Sequence, residues 1–239
     1  MTSRQRLSRR RFLQRAAAAG AVLGLPVIIP AAALGADGRP APSNRITVGA
    51  IGVGGQGNGN LGGFLGDPRC QVLAVNDVDR NNLERTQRRV NDVYGNQDCA
   101  AYSDFRELVA RDDIDAISLA TPDHWHAIPA ILSAKSGKDI YGEKPFSHDL
   151  REGRAMVDAV NQYGRIWQTG SWQRSTGDFR FACELVRNGR IGKLHTVEVG
   201  LPTGGGGGNS PFTDPPANMD YDFWCGPAPW APYSADRTH

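Results

Sequence analysis

The chain has 239 residues, 40% of them hydrophobic and 22% charged, which reads as a soluble globular protein of one large domain, or of one domain and part of another. Its formal charge of +2 is misleading, because six arginines (Arg4, Arg6, Arg9, Arg10, Arg11, Arg15) and no acid lie in the first 36 residues. Setting those six aside leaves 21 basic residues against 25 acidic ones, a net charge of −4 that gives no support to nucleic-acid binding.

The opening stretch is basic, then weakly apolar from Ala16 to Ile29, and ends in the small-residue pattern of Ala31 and Ala33. Within it Ser8-Arg9-Arg10-Arg11-Phe12-Leu13 resembles the twin-arginine export motif. Gly20, Gly24, Pro26 and Pro30 argue against a membrane-spanning helix. Residues 1–36 are therefore expected to be a cleaved signal peptide that sends the folded protein to the periplasm with no stable membrane insertion afterwards. Residues 37–44 read as a linker.

From Arg45 short apolar runs alternate with helical patterns, the signature of a Rossmann-type, doubly wound parallel sheet of class α/β. The first strand is Ile46–Ile51, followed by a glycine-rich turn and a short helix around Leu61, Phe64 and Leu65. A second strand, Gln71–Asn76, leads to a helix from Arg80 to Tyr94 with Leu83, Val90 and Val93 inward and Gly95 as terminator. A short strand at Ala100–Tyr102 precedes a helix started by Asp104 and Glu107. Strands at Ala116–Ala120 and Asp139–Tyr141 flank a helix at Ala127–Lys135. A helix from Leu150 to Tyr163, capped by Asp149, and a strand at Ile166–Thr169 complete a domain ending near Gly170. Beyond it come a helix at Asp178–Arg187, one alternating strand at Lys193–Gly200, and the low-complexity stretch TGGGGGNSPFTDPPANMD. A lone alternating strand needs partners to bury its apolar face. Residues 171–239 are therefore expected to be the incomplete start of an α+β substrate domain, and the chain the N-terminal part of a longer protein.

Cys70, Cys99, Cys183 and Cys225 show no metal-ligand spacing, so no metal is expected. Cys70 and Cys99 each open a strand, and side-by-side strand starts would permit a disulfide.

The chemistry concentrates where strands end. Gly52-Val53-Gly54-Gly55-Gln56-Gly57 fits G-x-G-x-x-G between a strand and a helix. There Gly52 permits the tight turn, Gly54 lets backbone approach a pyrophosphate, Gly57 allows close packing, and the loop as a whole cradles phosphate. Asp77, at the end of the second strand, suits the two hydroxyls of an adenosine ribose and repels a 2′-phosphate, which favours NAD, with Arg80 leaving NADP open. Thr121-Pro122-Asp123-His124-Trp125-His126 follows the fourth strand, where strand order reverses. Thr121, Pro122 and His126 are candidates for cofactor contact and His124 for substrate, although packing or helix capping suits His126 equally. Glu143-Lys144-Pro145 lands on the same edge, with Pro145 fixing the turn and Lys144 able to stabilise negative charge on a substrate oxygen. After the sixth strand, Trp172, Gln173 and Arg174 bring groups suited to a polyhydroxylated ligand.

In this order, AIGVGGQG, NDVD, ATPDHWHA, GEKP and GSWQRS resemble the glucose-fructose oxidoreductase/inositol dehydrogenase/MocA family, over roughly 45–200 and again at FWCGPAPWAPY. The resemblance implies NAD(P) at the glycine loop and Asp77, a catalytic lysine at Lys144 and a sugar-type alcohol or carbonyl as substrate. It also implies a proton-transferring histidine in the second domain, for which this chain has no matching segment, so the fragment alone is expected to be inactive. Trp172 departs from the family's usual glutamine. Export makes a tightly held, internally recycled cofactor the expectation. The candidate activities are an oxidoreductase, an NAD-dependent glycosidase or lyase, and a non-catalytic sugar-binding protein that retains NAD. A homo-oligomer is expected at full length.

Overall fold

A computed structural model describes residues 34–35, 40–201 and 208–238. The arginine-rich opening stretch and most of the glycine run lie outside these residues. The chain divides into two compact units, Met1–Asn44 and Arg45–His239, and the fold below belongs to the second.

Six strands form one sheet: β1 (Ile46–Ile51), β2 (Cys70–Asn76), β3 (Ala100–Tyr102), β4 (Ala116–Leu119), β5 (Asp139–Glu143) and β6 (Trp167–Gly170). Their order is β3-β2-β1-β4-β5-β6, and every neighbouring pair is parallel. Helices fill the crossovers: α1 (Gly55–Gly66), α2 (Arg80–Tyr94), α3 (Phe105–Val109), α4 (Ala127–Lys135) and α5 (Leu150–Gln162). Beyond the sheet lie α6 (Gly177–Arg187) and the short α7 (Tyr221–Cys225). Among the described residues no helix is long and apolar enough to cross a membrane.

Parallel strands covered on both faces read as continuous apolar runs, and β1 does so: Val48 to Ile51 are all buried. Successive side chains point to opposite faces. Val48 and Ala50 join Leu61, Val72, Val75 and Val90 in a core cluster with Phe64 and Leu83 packed against it. Ile51 joins Leu108, Ile117, Leu119, Ala130 and Met156 in a second cluster on the other face. Leu119 is fully buried there. Leu119→Ala should cost about 2–5 kcal/mol, from lost transfer energy and the cavity left behind, read as a lower urea midpoint at unchanged slope.

The caps are local. Asp79, Asp104 and Asp149 each accept a backbone N–H at the start of a helix, and Gly95 closes α2 at φ +66°.

Three expectations need correction, and the disulfide that the sequence left open is absent. Val93 is exposed, because α2 turns Thr86, Val90 and Asn91 inward, with Leu83 and Tyr94 packed beside them. Strand β5 runs on to Glu143, whose ladder partner is Gly170. Lys193–Gly200 forms no strand, and all eight residues are exposed with no ladder partner among the described residues. The four cysteines are free. Ala74 pairs with Ala100, so Cys99 is level with residue 73. Cys70 lies three positions away, about 10 Å along the strand, beyond the roughly 7 Å a disulfide spans.

Candidate functional site

Because all six strands are parallel, the loops after β1, β2, β4, β5 and β6 share one edge, and strand order reverses between β1 and β4. The glycine loop sits at that reversal. Gly52 adopts φ +76°, and a Cβ there would lie 2.7 Å from the Ala120 carbonyl oxygen. At Gly57 a Cβ would lie 1.9 Å from the Gly52 carbonyl oxygen, so only glycine lets α1 sit this close to the turn. Gly54 and Gly55 differ. Around Gly55 no atom lies within reach of a Cβ, and around Gly54 only the Asn82 amide approaches, at 3.8 Å. Gly54 is the N-cap of α1 and provides no side-chain cap. The loop therefore presents oriented N–H groups to open space, which suits a phosphate.

Asp77 accepts the Val53 N–H at 2.9 Å and the Asp79 N–H at 2.9 Å, tying the glycine loop to the β2 loop. Burial pushes its carboxyl above the ordinary range, with these two N–H bonds opposing the shift. Ionised Asp77 thus costs stability, and its contribution falls as pH rises through the raised pKa.

In the loop after β4, the Thr121 Oγ1 is buried and has no hydrogen-bond partner. An orphaned hydroxyl beside an uncapped helix N-terminus fits a dinucleotide's polar atoms. Pro122 lies exposed beside it. His126 is 1% exposed. Its Nδ1 lies 2.6 Å from the Pro145 carbonyl oxygen and its Nε2 2.9 Å from that of Thr121. A neutral imidazole donates to one of these and only a doubly protonated ring to both. The packing reading of His126 is the one its position supports: it staples the Thr121 loop to the Lys144 turn and faces no open space. His126→Leu leaves both carbonyls without this donor, and should cost about 1–3 kcal/mol, measured as a lower thermal midpoint.

His124 Nε2 lies 2.8 Å from the Trp224 carbonyl oxygen, so this substrate candidate is engaged by α7.

Glu143 is buried at the end of β5, where its Oε1 accepts from Asn60 Nδ2 at 2.9 Å and Gln56 Nε2 at 3.2 Å. Its Oε2 faces the Lys144 N–H at 3.2 Å. Glu143 and Gln56 thereby couple α1 to the Lys144 turn. Lys144 is exposed, its N–H meets the Gly170 carbonyl at 3.3 Å, and its bond to Pro145 is cis. No acid pairs with its ammonium among the described residues. Trp172 is exposed. Gln173 and Arg174 line an open cleft with Phe179, Arg180 and Glu184 of α6, and no hydrogen bond joins them to Lys144 or the glycine loop among the described residues.

Sequence reasoning missed Asn60 and Asn82, which carry no motif, and singled out FWCGPAPWAPY without placing α7 against the loop after β4. Phe223 of α7 stacks on Phe105 at 6.1 Å and meets Trp125 edge-on at 5.3 Å. The repeated aromatics of FWCGPAPW were the available signal.

Residues 46–171 match the GFO_IDH_MocA family, an oxidoreductase family with an NAD-binding Rossmann fold. A glycosyl hydrolase family 109 protein of Saccharopolyspora erythraea is 34% identical over 203 residues, covering 78% of this chain and 44% of that protein. The levoglucosan dehydrogenase of Pseudarthrobacter phenanthrenivorans is 35% identical over 92 residues, 38% of this chain and 24% of that protein. A solved scyllo-inositol dehydrogenase from Lactobacillus casei, with bound NAD(H) and scyllo-inositol, superposes with a TM-score of 0.55 at 23% identity. That match covers 62% of this chain and 42% of the other, and at this identity it shows the fold alone. The chain spans less than half the length of the curated relatives it matches.

Proposed function

The chain belongs to the Gfo/Idh/MocA family of NAD-binding Rossmann oxidoreductases, and from that premise we propose that the full-length protein transfers hydride to or from a carbon of a sugar or polyol. Lys144 carries the reading. Its exposed ammonium, without an acid partner among the described residues, stands on the edge that also holds the glycine loop and Asp77. When bound, NAD supplies the hydride acceptor. The loop N–H groups around Gly54 and Gly55, with the Thr121 hydroxyl, hold phosphate, and Asp77 takes the ribose hydroxyls. Lys144 donates to the substrate oxygen and stabilises the charge that grows there as the proton leaves. His124, Trp172, Gln173 and Arg174 are proposed to meet the substrate.

We assign export to the twin-arginine route, which favours a cofactor held through successive turnovers. The family 109 relative at 34% identity supports a second reading, transient oxidation followed by elimination and re-reduction, with no net redox change. The full-length exported protein should therefore be assayed with single sugars, sugar pairs and aryl glycosides after its bound dinucleotide is identified. Redox change with a sugar or sugar pair supports the oxidoreductase, and aglycone release supports the second reading. Retained dinucleotide with neither activity would sink both.

A further inference from the structure

A ten-residue stretch that no dinucleotide motif contains is fastened across two of the loops that form the cofactor edge. Its first fastening is to the loop after β2. Asp79 and Met219 form an antiparallel bridge. The Arg80 N–H donates to the Asn218 carbonyl at 2.8 Å, and the Asp220 N–H to the Val78 carbonyl at 3.0 Å. Asn218 Nδ2 donates to Asp79 Oδ1 at 2.9 Å. Its second fastening is to the loop after β4. Trp125 Nε1 donates to the Trp224 carbonyl at 2.9 Å, the carbonyl that His124 also meets. Phe223 packs against both Trp125 and Phe105, which also meet each other edge-on at 5.6 Å, with the Arg106 guanidinium 5.5 Å over the Phe223 ring. Gly226 ends α7 at φ +48°, and a Cβ there would lie 2.1 Å from the Trp125 ring. Tyr221 and Cys225 are buried.

Strands β2 and β4 flank β1 in the sheet, so the stretch ties together the two loops on either side of the glycine loop. The first fastening adjoins the candidate ribose acid directly, since the Asp79 N–H donates to Asp77 Oδ1 at 2.9 Å. We infer that residues 217–226 are a strap that closes the adenosine end of the dinucleotide site and sets how slowly the cofactor leaves. This rests on the proposed NAD-binding role of Asp77 and the glycine loop. Release then requires undocking the strap, which breaks the backbone bridge and exposes Phe223 and Trp125 together. A mere surface connection would need neither buried aromatics nor a glycine-only contact. Retention is thereby built into the same chain that forms the Rossmann domain.

The test uses NADH on the full-length protein and needs no turnover. Bound NADH is chased with excess NAD, and loss of its fluorescence gives the release rate. Asn218→Ala removes the lightest fastening, and Gly226→Val pries α7 from Trp125. Trp230→Ala, at an exposed ring downstream, is the control. Release should quicken about tenfold or more in Gly226→Val, the equivalent of about 1.4 kcal/mol, and by a smaller factor in Asn218→Ala. Amide exchange across 217–226 should slow when NADH binds. Should Gly226→Val fail to fold, Asn218→Ala and the exchange data decide. Release rates equal to wild type, acceleration matched by Trp230→Ala, or exchange indifferent to NADH would overturn the strap while leaving the NAD reading intact. Wild-type protein that binds no NADH would overturn both.

Discussion

Lys144→Met in the full-length protein should lower turnover about 10²–10³-fold, the usual loss when one preorganised donor to a developing oxyanion is removed. NADH affinity should stay within about twofold, since the loss of a transition-state contact need not weaken ground-state binding. The replacement keeps an unbranched stem and discards only the charge, so the turn need not rearrange. What positions that turn is unaffected: the Lys144 N–H still meets the Gly170 carbonyl, and Pro145 still presents its carbonyl to His126. Steady-state rates with the sugar identified in the substrate screen, set beside a fluorescence titration of NADH, separate the two quantities. Undiminished turnover would remove Lys144 from the chemistry. A parallel loss of NADH binding would make it a cofactor ligand instead.

Gly57→Ala should be the most damaging single-atom change to cofactor binding. The added Cβ would sit 1.9 Å from the Gly52 carbonyl oxygen and 3.3 Å from the Ala120 side chain. The first of these is backbone and cannot swing aside, so α1 must shift outward, and overpacking of this kind costs about 1–3 kcal/mol. A shift near 1 Å displaces every N–H at the helix start, and misplacement on that scale costs about 10²-fold where geometry sets binding or rate. It also strains the bonds by which Gln56 and Asn60 hold Glu143. NADH titration with a urea melt of the apo protein checks both. Gly63→Ala on the same helix, where a Cβ meets nothing within 4 Å, should instead stabilise slightly, because alanine exceeds glycine in helix propensity by up to about 1 kcal/mol. An NADH affinity in Gly57→Ala equal to that of Gly63→Ala would refute the packing account.

Both predictions concern residues picked out by motif, and the contrast with the others shows where such reading stops. The glycine at 52 was legible because a positive φ is a property of one residue. Aspartates 104 and 149 were legible because a cap bonds an amide two or three positions along. The alternation of apolar runs and helical patterns implied a doubly wound parallel sheet through the handedness of crossovers. None of this requires knowing what lies far along the chain. The role of His126 did require it, since its second partner, Pro145, is 19 residues away. So did that of Glu143, bound to side chains 83 and 87 residues earlier, and the strap, whose Asn218 meets Asp79 across 139 residues. Whether Cys70 and Cys99 pair was left open for the same reason, because two strand starts become neighbours only through a register the ladder sets. Motif, period and cap are short-range and are written in the chain. Which buried polar atom finds which distant partner depends on how the packed layers meet, and the tertiary structure alone decided that.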